Sequence, residues 1–347
     1  MRTTEKILII RLSSLGDILH AMPALSSLRS AFPDARIDWL VEQKNGFLVS
    51  AVRGIDEVIV LDTSPLRKDT WKLSSWEPAW DLILRLRARR YDLCIDFQGL
   101  LKTALIGALS GARTRVGFPK ELVRERPAHW FYQRTPDPPS TPIHIVALNQ
   151  LLAQSVGAPA VSPKVDFEVA SEDDASVRSL LEAENITNFA VINPGGGWPT
   201  KRWGPSRYGQ LAARIHTELG LTVVVTTGPG EEDLFAELAK HCGNLSIRHL
   251  QLPFLQLIPL LRGARLLIGG DTGPFHLACA LGTPVVGIFG PTAPVRNGPW
   301  RDGEESVFRM LACSFCHGRT CPTQNECMDV TAEEVFRAVV RRLARNS

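Results

Sequence analysis

The chain has 347 residues, of which 44% are hydrophobic and 22% charged, and its formal net charge is +3. These values are ordinary for a globular protein, and the length favours two domains. The small net charge, together with the lack of zinc-finger spacing or a long basic tract, argues against nucleic-acid binding. No apolar run approaches the roughly 20 residues of a membrane span. We therefore expect a cytoplasmic protein.

The first apolar run, Lys6 to Ile10, is typical of a buried parallel strand, and a helical pattern follows from Ile18 to Ala31. The connection between them carries the polar residues Ser13, Ser14 and Asp17. Gly16 is its only glycine, where dinucleotide-binding enzymes have G-x-G-x-x-G, so a dinucleotide cofactor is disfavoured. Asp17 either caps the helix or acts as a general base.

The alternation of strands and helices continues through the first half of the chain. Strands are predicted at Arg36 to Val41, Glu57 to Leu61 and Leu93 to Phe97, and helices at Ala79 to Arg89, Leu100 to Leu109 and His144 to Val156. This order predicts a doubly wound parallel sheet. Gln98 and Lys102 follow the strand that ends at Phe97, and they are either surface residues of a helix start or contacts to a polar ligand.

A basic stretch lies between residues 113 and 134, with six cations against two anions, and it is interleaved with Trp130, Phe131 and Tyr132. Such a stretch is either a local anion-binding face or a solvated loop. The Pro- and Gly-rich segment Gly157 to Pro163 is the predicted domain boundary.

A second alternating series follows that boundary. Strands are predicted at Phe189 to Asn193 and Thr222 to Thr226, and helices at Ser171 to Glu184, Pro205 to Leu219, Glu231 to Cys242 and Phe254 to Arg262. The segment Ala264 to Pro291 is predicted to form a strand, a tight turn, a short helix and a second strand. Both halves are therefore predicted to be parallel α/β domains.

The turn of that segment, Gly270-Asp271-Thr272-Gly273-Pro274, is predicted at the amino end of a helix, where free backbone N–H groups and the helix dipole attract anions. A phosphate or diphosphate is the expected ligand. Asp271 either caps the helix or accepts a hydrogen bond from a sugar hydroxyl, and Thr272 offers a hydroxyl to a phosphate oxygen.

A glycine-rich loop from Asn193 to Trp203 contains three consecutive glycines followed by Lys201 and Arg202. Glycines allow a backbone to approach an anion closely, although this loop does not match the P-loop pattern. At the next strand end, Glu231 either binds ribose hydroxyls or favours a helix amino terminus.

Four cysteines, Cys313, Cys316, Cys321 and Cys327, lie close together in the sequence, with His317 among them. The C-x2-C pair has metal-ligand spacing, but the later gaps are tighter than in most structural zinc sites. Free thiols, a structural zinc site and disulfides all remain open, and none of them is expected to be catalytic. The chain closes with an amphipathic basic helix, Thr331 to Arg345, which opens with a capping box.

Three ordered motifs together resemble glycosyltransferase family 9, the ADP-heptose:lipopolysaccharide heptosyltransferases. They are Ser13 to His20 with Pro23, the loop that ends in Lys201-Arg202-Trp203, and Gly270 to Ala278. The resemblance extends from about residue 6 to about residue 345. Asp96 to Leu100 with Lys102, and Arg124 to Ala128 before Trp130 to Tyr132, look most like heptosyltransferase I, whereas the cysteines look like heptosyltransferase II.

The resemblance implies a GT-B fold, in which two Rossmann-like doubly wound parallel-sheet domains face a cleft. Residues 1–160 would form the acceptor-binding domain and residues 161–330 the nucleotide-sugar-binding domain, with a helix at 331–347 that packs back on the first domain. The implied reaction is an inverting, metal-independent transfer from an ADP-sugar co-substrate, without a further cofactor.

The resemblance also implies roles for individual residues, and we expect Asp17 to be the general base. The expected donor contacts are Thr200, Lys201, Glu231, Asp271, Thr272, Gly273 and His276. The expected acceptor contacts are Ser13, Ser14, Gln98, Lys102, Arg124 and Arg126. The acceptor would be a lipid-linked anionic oligosaccharide, reached by peripheral contact at the cytoplasmic face of the inner membrane. Another nucleotide sugar or acceptor, a non-catalytic nucleotide-binding module and a nicotinamide-dependent oxidoreductase remain alternatives.

Overall fold

The computed structural model describes residues 4–63, 77–160, 165–243, 245 and 247–345. The chain forms two compact units, Met1–Glu168 and Val169–Ser347. Each unit contains one parallel sheet with helices between successive strands, which confirms the predicted α/β class with two doubly wound sheets. Among the helices of the described ranges, none has the length and apolarity that a membrane span requires.

The first unit contains a five-stranded parallel sheet in the order β3-β2-β1-β4-β5. Its strands are β1 (Lys6–Ile10), β2 (Arg36–Glu42), β3 (Glu57–Leu61), β4 (Leu93–Asp96) and β5 (Thr114–Val116). Its helices are α1 (Leu15–Ala31), α2 (Gly46–Ser50), α3 (Glu77–Arg89), α4 (Leu101–Leu109) and α5 (Ile145–Gln154). The apolar side chains of β1 are fully buried, as expected for the central strand of a sheet covered on both faces.

The second unit contains a six-stranded parallel sheet in the order β11-β10-β9-β6-β7-β8. Its strands are β6 (Phe189–Asn193), β7 (Thr222–Thr226), β8 (Arg248–Leu250), β9 (Leu266–Gly270), β10 (Val285–Phe289) and β11 (Glu305–Phe308). Its helices are α6 (Ser171–Ala183), α7 (Pro205–Leu219), α8 (Glu232–Ala239), α9 (Leu257–Gly263), α10 (Gly273–Leu281), α11 (Pro294–Asn297) and α12 (Ala332–Ala344).

Each sheet has one point at which the strand order reverses. In the first unit the chain adds β2 and β3 on one side of β1 and then returns to place β4 on the other side, with Ile10 paired to Asp96. In the second unit the reversal lies between β6 and β9, where Asn193 is paired to Gly269. Open α/β sheets bind ligands beyond the carboxyl ends of the strands at such a point. These two strand pairs therefore mark the expected sites.

The boundary between the units falls eight residues later than the predicted one at 160/161. An antiparallel bridge joins Val52 to Phe167, and the Glu168 N–H donates to the Ala51 carbonyl over 2.8 Å. These backbone contacts attach residues 166–168 to the first unit. Positions 161–163 of the predicted connector lie outside the described residues.

The terminal helix α12 packs on the second unit. Its buried face, which includes Val335, Phe336 and Val339, belongs to the same hydrophobic core as residues of α7 and β10. The sheet of the second unit needs cover over β10 and β11, and the apolar stripe of α12 supplies it. That residues 331–347 also pack back on the first domain stays a prediction.

Candidate functional site

At the reversal point of the second unit, β9 ends at Gly270 and α10 begins at Gly273, which confirms the predicted order of strand, turn and helix. Thr272 caps the helix, because its Oγ1 accepts a hydrogen bond from the Phe275 N–H over 3.4 Å. The same hydroxyl donates to the side-chain oxygen of Asn193 at the end of β6, over 3.2 Å. The turn is thus fixed to the neighbouring strand. Pro274 has no N–H and the Phe275 N–H donates to Thr272, so the Gly273 N–H is the donor at the start of α10 that could bind an anion.

Asp271, which precedes the cap, is 7% exposed and is held on both of its carboxylate oxygens. Oδ2 lies 2.7 Å from the Lys201 ammonium and accepts from the Asn297 side chain over 3.3 Å. Oδ1 lies 2.7 Å from Nε2 of His276. Burial raises the pKa of Asp271, but the hydrogen bond and charge of His276 and the charge of Lys201 outweigh burial and hold that pKa well below its usual range. Asp271 therefore acts as an ionised anchor, and the cap is supplied by Thr272.

Lys201 ends a short 3-10 helix, Pro199–Lys201, in the glycine-rich loop. Its ammonium lies 2.7 Å from the Asp271 carboxylate, 3.4 Å from the Asp271 carbonyl oxygen and 4.0 Å from the centre of the Trp198 ring. These contacts place a positive charge beside the start of α10. An ammonium and a helix amino terminus at one location form a favourable environment for a diphosphate.

Glu231 joins the glycine-rich loop to the loop that follows β7. Its carboxylate accepts from the N–H groups of Gly228 over 3.0 Å and Gly196 over 3.3 Å. A Cβ added at Gly195 would lie 2.4 Å from Glu231 Oε2, so only glycine permits this close approach. The carboxylate is thus engaged with backbone donors, and it fixes the shape of both loops.

Thr200 stands next to Lys201 and is held by the segment that carries the four cysteines. Its hydroxyl donates to the Gly318 carbonyl over 2.7 Å, and its own carbonyl accepts from the Asn325 side chain over 3.0 Å. The side chain is buried. These bonds connect the position of the Lys201 loop to the conformation of residues 313–327.

In the first unit, Asp17 lies in the first turn of α1, beside the end of β1. Oδ1 pairs with the Arg11 guanidinium at 2.9 Å, and Oδ2 pairs with Arg124 at 3.4 Å. Ser14 donates to Oδ2 from its N–H over 3.3 Å and from its hydroxyl over 3.1 Å. Burial raises the pKa of Asp17, but the charges of Arg11 and Arg124 outweigh burial and hold that pKa well below its usual range. Asp17 is therefore ionised at neutral pH, and it is part of a capping box as well.

The other predicted acceptor residues divide into three groups. Gln98 is buried and accepts from the Leu12 N–H over 2.7 Å, so it joins the ends of β1 and β4. Ser14 and Arg124 lie with Asp17, and Ser13 is half-buried in the same turn. Lys102 on α4 and Arg126 are exposed side chains. The structure thus brings Ser14, Asp17 and Arg124 together, whereas Gln98 is buried and holds the backbone at the end of β1 through Leu12.

Comparisons with known proteins identify the family. A family model described as glycosyltransferase family 9 (heptosyltransferase) matches residues 79–326. The chain belongs to glycosyltransferase family 9. It is 31% identical to lipopolysaccharide heptosyltransferase 1 of Pseudomonas aeruginosa, over 92% of this chain and 88% of that protein. It is 27% identical to lipopolysaccharide heptosyltransferase 1 of Escherichia coli K12, over 83% of this chain and 89% of that protein.

Solved structures of the family share its fold. The family 9 glycosyltransferase from Veillonella parvula superposes with a TM-score of 0.84 at 19% identity and covers 99% of both chains. Escherichia coli heptosyltransferase WaaC with ADP superposes with a TM-score of 0.76 at 24% identity, over 97% of this chain and 99% of that chain. The fold class is therefore GT-B, as the sequence resemblance implied, and the family 9 chain is a glycosyltransferase.

The cysteine segment of this glycosyltransferase contains free thiols. Cys313 and Cys316 are exposed, Cys321 is half-buried and Cys327 is buried. Within the described ranges, no group of three or more His, Cys, Asp and Glu side chains is arranged to hold a metal ion. The described cysteines form no disulfide, and whether they bind a structural zinc ion stays a prediction.

Sequence reasoning missed two residues that shape the site of this family 9 chain. Arg11 is 2% exposed, and it pairs with Asp17 while donating to the Phe97 carbonyl. Asn193 connects the Thr272 cap to β7 by donating to the Thr226 carbonyl over 2.9 Å. The sequence pattern could have indicated both residues. Each is a polar residue at the carboxyl end of a continuous apolar strand, where ligand sites of open α/β sheets lie.

Proposed function

We propose that this glycosyltransferase moves heptose from ADP-L-glycero-D-manno-heptose to the Kdo/heptose inner core of lipopolysaccharide. Its relatives support this substrate pair, since the P. aeruginosa and E. coli proteins are lipopolysaccharide heptosyltransferases. A solved structure of the family, E. coli heptosyltransferase WaaC with ADP-2-deoxy-2-fluoro heptose, supports an ADP-linked donor. The first unit is assigned to the acceptor and the second to the donor.

The observation that carries the proposal is the ionised carboxylate of Asp17 at the reversal point of the first sheet, with Arg11 and Arg124 as its partners. In the proposed step, Asp17 accepts the proton of the acceptor hydroxyl as that oxygen attacks the anomeric carbon. The bond from the anomeric carbon to the diphosphate breaks, and ADP leaves. A single displacement of this kind inverts the anomeric configuration and requires one carboxylate.

The leaving diphosphate is assigned to Lys201, to the Thr272 hydroxyl and to the N–H groups around Gly273, which carry positive charge or donate hydrogen bonds at the start of α10. Loss of one such contact in a transition state typically costs a few kcal/mol. The transfer is proposed to be metal-independent and to need no further cofactor, because these groups neutralise the diphosphate. Thr200, Glu231, Asp271 and His276 are assigned to the same donor site, where they hold Lys201 and the glycine-rich loop.

The acceptor is assigned to the cations of the first unit. Lys102, Arg124 and Arg126 would bind the carboxylates of Kdo, and arginine is suited to paired hydrogen bonds with a carboxylate. Because the acceptor carries a lipid, we place the reaction at the cytoplasmic face of the inner membrane, with peripheral contact only. Ser13 and Ser14 are assigned to the acceptor hydroxyls next to Asp17.

The test combines one substitution with one panel of ligands. Asp17→Asn should lower heptose transfer by about 10²- to 10⁴-fold, as expected for loss of a general base, while the Kd for ADP changes by less than about twofold. Calorimetry with ADP-, UDP- and GDP-linked sugars should show preference for the ADP-sugar. Substantial transfer by the Asp17→Asn protein would remove the base assignment, and preference for UDP or GDP would overturn the heptose donor.

A further inference from the structure

The two oxygens of Asp17 have unequal partners. Oδ1 pairs with Arg11, whose side chain is 3% exposed, at 2.9 Å. Oδ2 pairs with Arg124, whose side chain is 49% exposed, at the longer distance of 3.4 Å. Oδ2 also accepts the two hydrogen bonds from Ser14. One carboxylate thus has one buried cation and one exposed cation.

Arg11 is fixed by its surroundings. It follows β1 directly, and its second guanidinium nitrogen donates to the Phe97 carbonyl at the end of β4. Its backbone N–H donates to the Leu40 carbonyl, and its carbonyl accepts from the Trp39 ring N–H. Displacement of Arg11 would leave a buried cation without partners, which is strongly unfavourable. Of the two cations beside Asp17, Arg11 is therefore the more firmly held.

Arg124 has a fixed backbone and a releasable side chain. The next residue, Glu125, donates its N–H to the Gly99 carbonyl over 3.1 Å and accepts from the Leu101 N–H over 2.7 Å. These bonds hold the segment beside α4. The Arg124 guanidinium itself is half-exposed and lies 3.4 Å from Asp17, and long ion pairs with an exposed partner contribute little stability.

The charges around Asp17 favour an incoming anion. Two guanidinium groups share one carboxylate, and His20 faces the same carboxylate from α1. The next acidic group, Asp96, is buried, and burial raises its pKa, which makes it a weaker counter-charge. Because the cluster has more positive than negative charge, an acceptor carboxylate can replace Asp17 as the partner of Arg124 while Asp17 keeps Arg11.

From this geometry we infer that Arg124 is an exchangeable counter-ion, which pairs with Asp17 until an anionic acceptor binds and then pairs with an acceptor carboxylate instead, while Arg11 stays on Asp17 as a positioning residue. The inference rests on the proposed function of Asp17 as the base. It couples acceptor binding to catalysis, because departure of one cation makes the carboxylate more basic. The acceptor hydroxyl proton then moves to Oδ2, the new bond forms between its oxygen and the anomeric carbon, and ADP leaves with the electrons of the broken bond.

The experiment follows the carboxylate of Asp17 directly. The intact protein is labelled with ¹³C at aspartate carboxyl carbons, the Asp17 signal is assigned with Asp17→Asn, and its pH midpoint is measured with and without free Kdo. Kdo should raise the midpoint of the wild-type protein by about one to three pH units, the range for loss of a neighbouring opposite charge. Kdo carboxamide, which lacks the negative charge, should leave it unchanged.

Three variants separate the roles of the two arginines. Arg124→Gln should have a raised midpoint without Kdo and no further rise with it. Arg11→Lys should retain the Kdo-dependent rise. The matched control Arg85→Gln, which removes an exposed cation from α3, should titrate like the wild type. In transfer assays, Arg11→Met should lower kcat without changing the KM for the donor, and Arg11→Lys should restore part of kcat.

Two results would overturn the inference. One is a wild-type midpoint that saturating Kdo leaves unmoved, and the other is an Arg124→Gln midpoint equal to that of the wild type. Neither result would affect the proposed function if the wild-type protein transfers heptose and Asp17→Asn does not. Retention of transfer by Asp17→Asn would instead remove the base assignment itself.

Discussion

The Lys201 ammonium lies 2.7 Å from a carboxylate oxygen of Asp271, and both side chains are largely buried, at 11% and 6% exposed. His276 holds the other oxygen of the same carboxylate at 2.7 Å. The lysine is therefore held in place before any ligand binds. A charge that is already oriented in a partly desolvated site stabilises an anionic leaving group without reorganisation during the reaction.

Replacement of Lys201 by Met should weaken ADP binding by about 10- to 100-fold, because one charge-assisted contact to the diphosphate is lost. The substitution should also lower thermal stability, since Asp271 then remains buried without its cation. Isothermal calorimetry with ADP measures the affinity, and calorimetric melting measures the stability.

The matched control for this substitution is Lys240→Met. Lys240 is an exposed lysine of the second unit that pairs with Glu237. Its replacement should change neither ADP affinity nor melting temperature appreciably. If a folded Lys201→Met protein bound ADP as tightly as the wild type, Lys201 would not be a donor contact.

Asp271 should make the free energy of unfolding depend on pH in the acidic range. Its folded-state pKa is lowered, so its contribution is present above the unfolded-state pKa of about 4 and is lost as pH falls toward the folded-state value. Asp271→Asn should therefore reduce the free energy of unfolding by roughly 2 kcal/mol above about pH 5. That difference should shrink steadily below about pH 4. Urea unfolding at several pH values measures it, and a difference independent of pH would contradict the assignment.

The fold could be predicted most closely where strands are continuous apolar runs. The observed bounds of β1, β6 and β7 match the predicted ones to the residue. The three strands that sequence reasoning missed are β5, β8 and β11, which have three or four residues each and lie at sheet edges. An edge strand is only partly buried and needs no apolar run, so its sequence carries little signal.

The sequence indicated where in the fold the candidate site residues lie, but it indicated few of the contacts between them. Asp17, Lys201 and Asp271 could be proposed from the sequence because each lies in a polar or glycine-rich segment that follows an apolar strand. The ion pair between Lys201 and Asp271 spans 70 residues of sequence, and the contact of Arg11 with Phe97 spans 86. Such contacts depend on which strands become neighbours in the sheet, and local sequence does not determine that order.

Gly195 and Gly197 lie in the same loop but differ in the space available for a side chain. A Cβ at Gly195 would lie 2.4 Å from one Glu231 oxygen and 2.7 Å from the other, whereas a Cβ at Gly197 would meet no atom within 4 Å. Gly195→Ala should displace Glu231, detach the Gly196 and Gly228 N–H groups and weaken ADP binding by about tenfold. Gly197→Ala should change the Kd by less than about twofold. Equal ADP affinities for the two variants would show that Glu231 does not shape the donor site.

Thr200 provides a test of the connection between the cysteine segment and the Lys201 loop. Thr200→Val keeps the shape of the side chain but removes the hydroxyl that donates to the Gly318 carbonyl over 2.7 Å. We expect a loss of about 1 kcal/mol in unfolding free energy, the usual cost of one such hydrogen bond. ADP affinity should fall by about three- to tenfold, because Lys201 is then held less firmly.

Thr200→Ser retains the hydroxyl, so it should recover most of the ADP affinity that Thr200→Val loses. Thr217→Val is the matched control, because Thr217 is an exposed threonine of α7 whose hydroxyl donates to the Ala213 carbonyl within the same helix. This control removes a hydroxyl without touching the loop, and surface substitutions of this kind usually change stability by less than about 0.5 kcal/mol. Urea unfolding and ADP calorimetry on all three variants measure these effects. If Thr200→Val lost stability while its ADP affinity stayed at the wild-type value, the hydrogen bond to Gly318 would be structural without positioning Lys201.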